Sequence, residues 1–360
     1  MIDALIKRWV NARVRALSAY SVPDATGLIK LDAMENPYGW PAALRAEWLE
    51  RMRHAQINRY PDPAARQLAE KLRRHLALDA NVGLLLGNGS DELIQIIALA
   101  LRDEGRTLLA PEPTFVMYRL VAEVLGQRFA GVPLKAADFS LDLPAMLAAI
   151  RTHSPAVIFL ACPNNPTGNL FARHEIEAIL KAAPGLVVID EAYFPFARET
   201  WLHDILQHPN LVVLQTLSKM GLAGLRVGVL AGAPAWLDEF NKIRLPYNVN
   251  TLSQVSAAFI LEHAELLEEQ AAQIVRDREE LTARLRVLPG LTVWDSRANF
   301  VLFRVAHAGA VHESLKQRGV LTKCLDGAHP LLKDCLRVSV GTPDENGAFL
   351  GALQATLEGG

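Results

Sequence analysis

Leu186-Val187-Val188-Ile189-Asp190-Glu191-Ala192-Tyr193 is the stretch that decides the fold. Its four leading apolar residues have no polar face to turn to water, so they belong to a strand covered on both sides. An ionisable pair follows at once, where that strand ends. The same arrangement recurs outward along the chain. Short apolar runs occupy residues 84–86, 106–110, 156–161, 211–215 and 226–231. Stretches at 91–102, 114–125 and 173–183 space Leu, Ile and Ala as helices do. Buried strands alternating with amphipathic helices give an α/β fold, a mostly parallel sheet sandwiched by helices.

The pattern changes after about residue 250. A single helical stretch is expected over 253–288, stopped by Pro289-Gly290. Strand-like 292–294 and 299–305, a helix over 311–317, a strand at 336–340 and a last helix follow. That order suggests a smaller α+β domain. The expected division is an N-terminal arm with part of the small domain over 1–40, a large cofactor domain over 41–254, and a small C-terminal domain over 255–360.

Composition excludes several classes. Hydrophobic residues make up 51% and charged residues 21%, which is globular and not disordered. The 37 basic and 39 acidic side chains nearly cancel, leaving no field for nucleic acid or an anionic membrane. No window approaches the roughly 20 apolar residues of a membrane span. The opening MIDALIKRWV mixes charge into its turns and lacks a signal peptide's apolar core, so a cytoplasmic protein is expected. Cys162, Cys324 and Cys335 are far apart, and the histidines form no HExxH pair, so neither a disulfide framework nor a metal site is expected. Only ten of the 37 basic residues are lysine.

In an open parallel sheet, ligands bind outside the carboxyl ends of the strands. Strand 84–86 runs into Gly87-Asn88-Gly89-Ser90-Asp91, a tight turn opening a helix whose N–H groups and dipole suit a phosphate. Alone, that turn reads equally as a strand-to-helix connection with a good N-cap. It is neither GxGxxG, since Glu92 takes the third glycine's place, nor a Walker loop. Asp190 ends its strand where a carboxylate is desolvated and needs a cationic or N–H partner, which a protonated pyridine nitrogen could be; by itself it reads equally as a helix N-cap or a structural hydrogen-bond acceptor. Lys219 follows strand 211–215 beside Thr216 and Ser218, with Arg226 near. Burial there lowers an amine's pKa and readies it to attack a carbonyl. Strand 156–161 runs into Asn164-Asn165-Pro166-Thr167-Gly168, by itself a turn.

Taken together, these pieces stand in one order at strand ends. The set resembles the fold-type I pyridoxal-phosphate aminotransferases, and within them the histidinol-phosphate aminotransferases. The narrower likeness rests on Ala19-Tyr20 with Pro23, on Leu31 to Gly39 (LDAMENPYG), and on Arg59-Tyr60-Pro61-Asp62. It continues through residues 163–168 and 216–228, Arg297-Ala298-Asn299-Phe300, and Leu336 to Thr342 (LRVSVGT).

The resemblance implies a seven-stranded sheet, pyridoxal 5′-phosphate as cofactor, and a homodimer. It implies that Lys219 carries the cofactor and shuttles the proton, while Asp190 pairs with the ring nitrogen. Tyr193 and Asn165 would bond the ring's phenolic oxygen, and Phe115 would stack on the ring. The turn at Gly89, with the Ser90 and Asp91 N–H groups, Ser218 and Arg226, would hold the phosphate. Tyr60 would reach the neighbouring subunit's site. Tyr20, Asn36, Asn165, Asn299, Lys323 and Arg337 would line the substrate pocket. The implied reaction exchanges an amino group between histidinol phosphate and 2-oxoglutarate, giving glutamate. An aromatic amino-acid aminotransferase or a phosphothreonine-type decarboxylase is the alternative on the same fold. Three departures stand out. Lys323 takes the place of a common arginine, Phe115 replaces a common tyrosine, and 220–223 is one residue short. The first bears on substrate preference.

Overall fold

The structure is a computed structural model that describes residues 1–19 and 22–359. In chain order its strands are β1 (Ile29–Lys30), β2 (Gly83–Asn88), β3 (Thr107–Glu112), β4 (Arg128–Pro133), β5 (Val157–Ala161), β6 (Leu186–Asp190) and β7 (Leu211–Thr216). They continue as β8 (Val227–Gly232), β9 (Thr292–Val293), β10 (Phe300–Arg304), β11 (Val320–Leu321), β12 (Lys323–Cys324) and β13 (Cys335–Ser339).

Seven strands form the main sheet, in the order β2-β8-β7-β6-β5-β3-β4. All neighbours are parallel except around β8, which is antiparallel to both β2 and β7. The apolar runs explain the burial. In β6, Val187 and Ile189 enter one hydrophobic cluster, and Leu186 and Val188 enter another across the sheet. Helices cover both faces, so each strand needs apolar residues at every position. The edge strand β4, RFAGVP, carries no such run, and alternation alone does not announce it.

A second, antiparallel sheet has the order β12-β13-β10-β9. The N-terminal segment is stitched to this region: β1 pairs in parallel with β11, and Ser339 N–H donates to Leu31 O at 2.8 Å. The expected single helix over 253–288 is instead two, Thr251–Ile260 and Ala264–Arg286, separated by a 3₁₀ turn at Leu261–His263. Phe259 and Ile260 pack in the cluster that holds Leu68 and Leu72, and Leu267 of the second helix joins them there. Farther along, Ala271, Ile274 and Leu281 pack with Phe300 and Phe303, so the second helix passes from one core to the next. The polar face of the second helix is also not simply solvated: Arg278 donates to Ala298 O at 3.0 Å, and Asp277 accepts from the Tyr38 hydroxyl at 2.9 Å. No helix among the described residues is long and apolar enough to cross a membrane.

One close approach fixes where the β2 turn sits. A Cβ on Gly228, in β8, would lie 2.5 Å from the Gly89 carbonyl carbon and 2.6 Å from Ser90 N. Both are backbone atoms and cannot swing aside. Gly228→Ala therefore pushes the 89–90 turn off the sheet, at a cost of about 1–3 kcal/mol. Thermal unfolding should show a lowered Tm. An unchanged Tm would contradict the packing.

Candidate active site

The carboxyl ends of β2, β5, β6 and β7 and the start of β8 meet at one edge of the main sheet. A cavity of about 110 Å³ lies there, lined among others by Ser90, Phe115, Asn165, Asp190, Tyr193 and Lys219. A larger one, about 390 Å³, adjoins it. The two share Met34, Phe115 and Asn165 as walls, and Lys323 and Arg337 line only the outer one.

Asp190 ends β6 and is 4% exposed. Its hydrogen-bond partners are neutral. The Tyr118 hydroxyl donates to Oδ2 at 2.7 Å and the Ala192 N–H to Oδ1 at 3.0 Å. Burial pushes its pKa up to about 6 despite those donors. Tyr118 is itself fully buried on the helix Val116–Leu125, stacked on Phe159, and burial with the nearby Asp190 charge raises its pKa. Sequence reasoning missed Tyr118, because on the apolar face of a helix a tyrosine looks like any core residue. Glu191, next in the chain, points away from the cavity. It accepts from Gln215 Nε2 (2.8 Å), Thr200 Oγ1 (2.8 Å) and Trp201 N–H (2.6 Å).

Lys219 lies in a short 3₁₀ turn just beyond β7. Its Nζ donates to Ala33 O at 3.1 Å and sits 5.9 Å from the centre of the Tyr193 ring. Burial lowers its pKa to about 8, and the Arg337 charge adds to the effect. Near neutral pH, an appreciable share of this amine is thus uncharged and nucleophilic. Arg337, on β13, donates from Nη1 to Asn165 Oδ1 at 2.5 Å and from Nη2 to Asp32 O at 2.8 Å. Asn165 keeps its own Nδ2 for a ligand. Its neighbour Asn164 bonds Pro113 O, Thr167 and Thr114, which ties this loop to the Phe115 loop.

The turn after β2 is an anion site in shape. Gly89 at φ +82° precedes the helix Ser90–Ala100, and no side chain caps its first N–H groups. Asp91 turns to Arg226 Nη2 at 3.4 Å, and Glu92 bonds back to Asn88 N–H at 2.6 Å. Ser218 is buried beside Thr216, their hydroxyls 2.9 Å apart. An open helix N-terminus, an arginine and a serine hydroxyl converge there, which suits a phosphate. The N-cap position of this helix is Gly89, so no capping side chain occupies it.

Of the expected site residues, Ser90, Asp91, Phe115, Asn165, Asp190, Tyr193, Ser218, Lys219 and Arg226 line the inner cavity. Lys323 and Arg337 line the outer one, and three other side chains lie elsewhere. Asn36 donates to Gln270 Oε1 at 2.9 Å, and Asn299, wholly buried, donates to Met34 O at 2.9 Å. Neither lines a cavity; both hold the 33–36 segment that forms the wall facing Lys219. Tyr60 is 80% exposed, stacked on Tyr247 with ring centres 4.5 Å apart, outside both cavities. Tyr20 lies outside the described residues.

This geometry is that of a site for a planar, phosphate-bearing aromatic ring, and comparison with known proteins agrees. The sequence profile of aminotransferase class I and II matches residues 26–353, and the chain belongs to that family. Among its relatives, histidinol-phosphate aminotransferase 2 of Nitrosococcus oceani is 55% identical over 97% of this chain and 98% of its own length. The protein of the same name from Bordetella parapertussis is 52% identical over 98% and 97%. In fold, the chain is similar to histidinol-phosphate aminotransferase from Sinorhizobium meliloti in complex with pyridoxal-5′-phosphate, with a TM-score of 0.87 at 24% identity, covering 98% of each chain.

The buried carboxylate has a pH signature. Asp190's folded pKa of about 6 lies above its ordinary value of 3.8, so burial costs stability once the group ionises. That cost is on the order of 3 kcal/mol above pH 6 and fades as pH falls from 6 to 4. In cofactor-free protein, Asp190→Asn should therefore unfold at a higher temperature than wild type at about pH 8. Most of the difference should vanish near pH 4.5. A variant equally or less stable at both would refute the assignment.

Proposed function

We propose that the chain transfers the amino group of L-histidinol phosphate to 2-oxoglutarate, giving imidazole acetol phosphate and L-glutamate, with pyridoxal 5′-phosphate as cofactor. The observation that carries this is the convergence of Lys219, Asp190 and the 89–91 turn on one cavity that opens into a second, cation-bearing one. Relatives of that name at 52–55% identity over nearly the whole chain support the substrate. When bound, the cofactor supplies a ring that accepts electrons from the substrate's amine-bearing carbon.

The residues divide the work. Ser218, Arg226 and the Ser90 and Asp91 N–H groups hold the phosphate. Asp190 keeps a proton at the ring nitrogen, and Tyr118 orients that carboxylate. Asn165 and Tyr193 would donate to the ring oxygen, and Phe115 would pack against the ring. Lys219 would hold the cofactor through its Nζ and would move the proton at the substrate's amine-bearing carbon as general base and acid. Arg337 takes a phosphate or a carboxylate with the same planar fork, and Lys323 adds a point charge. Asn36 and Asn299 act as positioning residues behind the wall. Tyr20 completes the substrate side.

A homodimer fits the surface: Ile57, Tyr60, Leu245 and Tyr247 are exposed apolar side chains on two adjoining loops. A second copy covers them, and Tyr60 bonds the phosphate of its neighbour's cofactor. The enzyme works in the cytoplasm.

Mixing the loaded protein with histidinol phosphate should bleach the bound cofactor's visible absorbance. Adding 2-oxoglutarate should restore it and release glutamate. Borohydride followed by peptide mapping should find the pyridoxyl label on Lys219. Lys219→Ala should still bind cofactor but turn over at least ~10³-fold more slowly. No bleaching with this donor overturns the substrate, a label on another lysine overturns the site, and a monomer on sedimentation overturns the role of Tyr60.

A further inference from the structure

The outer cavity is lined by charges of both signs. Lys323 and Arg337 are cross-strand partners in the antiparallel β12–β13 pair. Their side chains therefore leave the same face of that sheet, within about 5 Å of each other at Cβ. Together they suit an anion. Elsewhere on the wall, at the end of β3, Glu112 is the one acidic side chain among the described lining residues.

Glu112 sits in a built position. Its Oε1 accepts from Arg119 Nε at 3.1 Å and its Oε2 from Arg119 Nη2 at 2.7 Å. The Arg119 guanidinium lies 4.3 Å above the centre of the Phe129 ring, on β4. A Cβ on Gly131, also in β4, would run into Glu112 Oε2. Gly131 has no positive φ, so the space for that carboxylate is what requires a glycine there. An ionised carboxylate offers about four acceptor positions, and Arg119 uses two of them.

The two amino donors differ most in the arm that reaches this wall. Histidinol phosphate brings an imidazole with an N–H to donate, whereas glutamate brings a carboxylate. A single fixed charge would favour one and repel the other. An ion pair presents both signs. We propose that the Glu112–Arg119 pair determines specificity for both donors: Glu112 accepts the imidazole N–H, and Arg119 holds the glutamate γ-carboxylate. Lys323 and Arg337 take the phosphate of the first and the α-carboxylate of the second. This rests on histidinol phosphate being the amino donor.

The test compares the two half-reactions of the cofactor-loaded enzyme, each donor alone, followed by absorbance. Glu112→Gln should lower kcat/KM for histidinol phosphate roughly 10- to 100-fold while glutamate stays near wild type. Arg119→Gln should give the reverse pattern. Gly131→Ala keeps both side chains but displaces the Glu112 carboxylate, and should reproduce the Glu112→Gln pattern. In the Lys219→Ala background, where turnover is blocked, calorimetric binding of each donor should split the same way. If the wild type reacts with histidinol phosphate and the variants weaken both donors equally or neither, the proposal falls and the parent activity stands. If the wild type fails to react with it, both fall.

Discussion

A carboxylate buried at the end of a central strand constrains everything around it. Asp190 is 4% exposed, and its hydrogen-bond partners are neutral. A cation brought to it stabilises its charge, and the cavity it lines is where that cation can arrive. Tyr118 holds one oxygen and the Ala192 N–H the other, so the group is aimed before any ligand binds. This arrangement needs β6 apolar on both faces, which is why the strand's sequence reads as it does. Glu191 shows the alternative beside it: turned away and met by three donors, it is satisfied within the protein.

The second constraint is that the cavity has walls from two sheets. The main sheet contributes its carboxyl edge to the inner cavity, and the antiparallel sheet contributes Arg337 to the outer one that adjoins it. The segment after β1 closes the gap. It is fixed at Leu31 by Ser339, at Met34 by Asn299 and at Asn36 by Gln270. Ala33 O then accepts from Lys219. Residues distant in sequence thereby set the environment of one amine, and burial with the Arg337 charge lowers its pKa.

Much of this was legible in the sequence. Runs such as Leu186 to Ile189 are unambiguous, because only a doubly covered strand tolerates them, and the motifs at their ends, with the family resemblance they carry, located nine cavity-lining residues. What escaped notice had physical reasons. β4 is an edge strand with one buried residue, and β1, β11 and β12 are two-residue pairings that exist only through tertiary contact. The break at Leu261–His263 is a 3₁₀ turn with no proline or glycine to announce it. Tyr118 was hidden by its helix, and Asn36 and Asn299 carried motif signals that pointed to the pocket while their side chains support it from behind. Glu112 gave no signal at all; its meaning depends on Arg119, seven residues on, and on the space left by Gly131.

The central claim is that Asp190 exists to hold a proton on the cofactor's ring nitrogen. Nitrogen-15 NMR of protein loaded with ring-labelled pyridoxal 5′-phosphate tests it directly. In the wild type the ring nitrogen should resonate as a protonated pyridinium from about pH 6 to pH 9, and in Asp190→Asn it should resonate as an unprotonated pyridine over the same range. An unprotonated nitrogen in the wild type at about pH 8 would contradict the account.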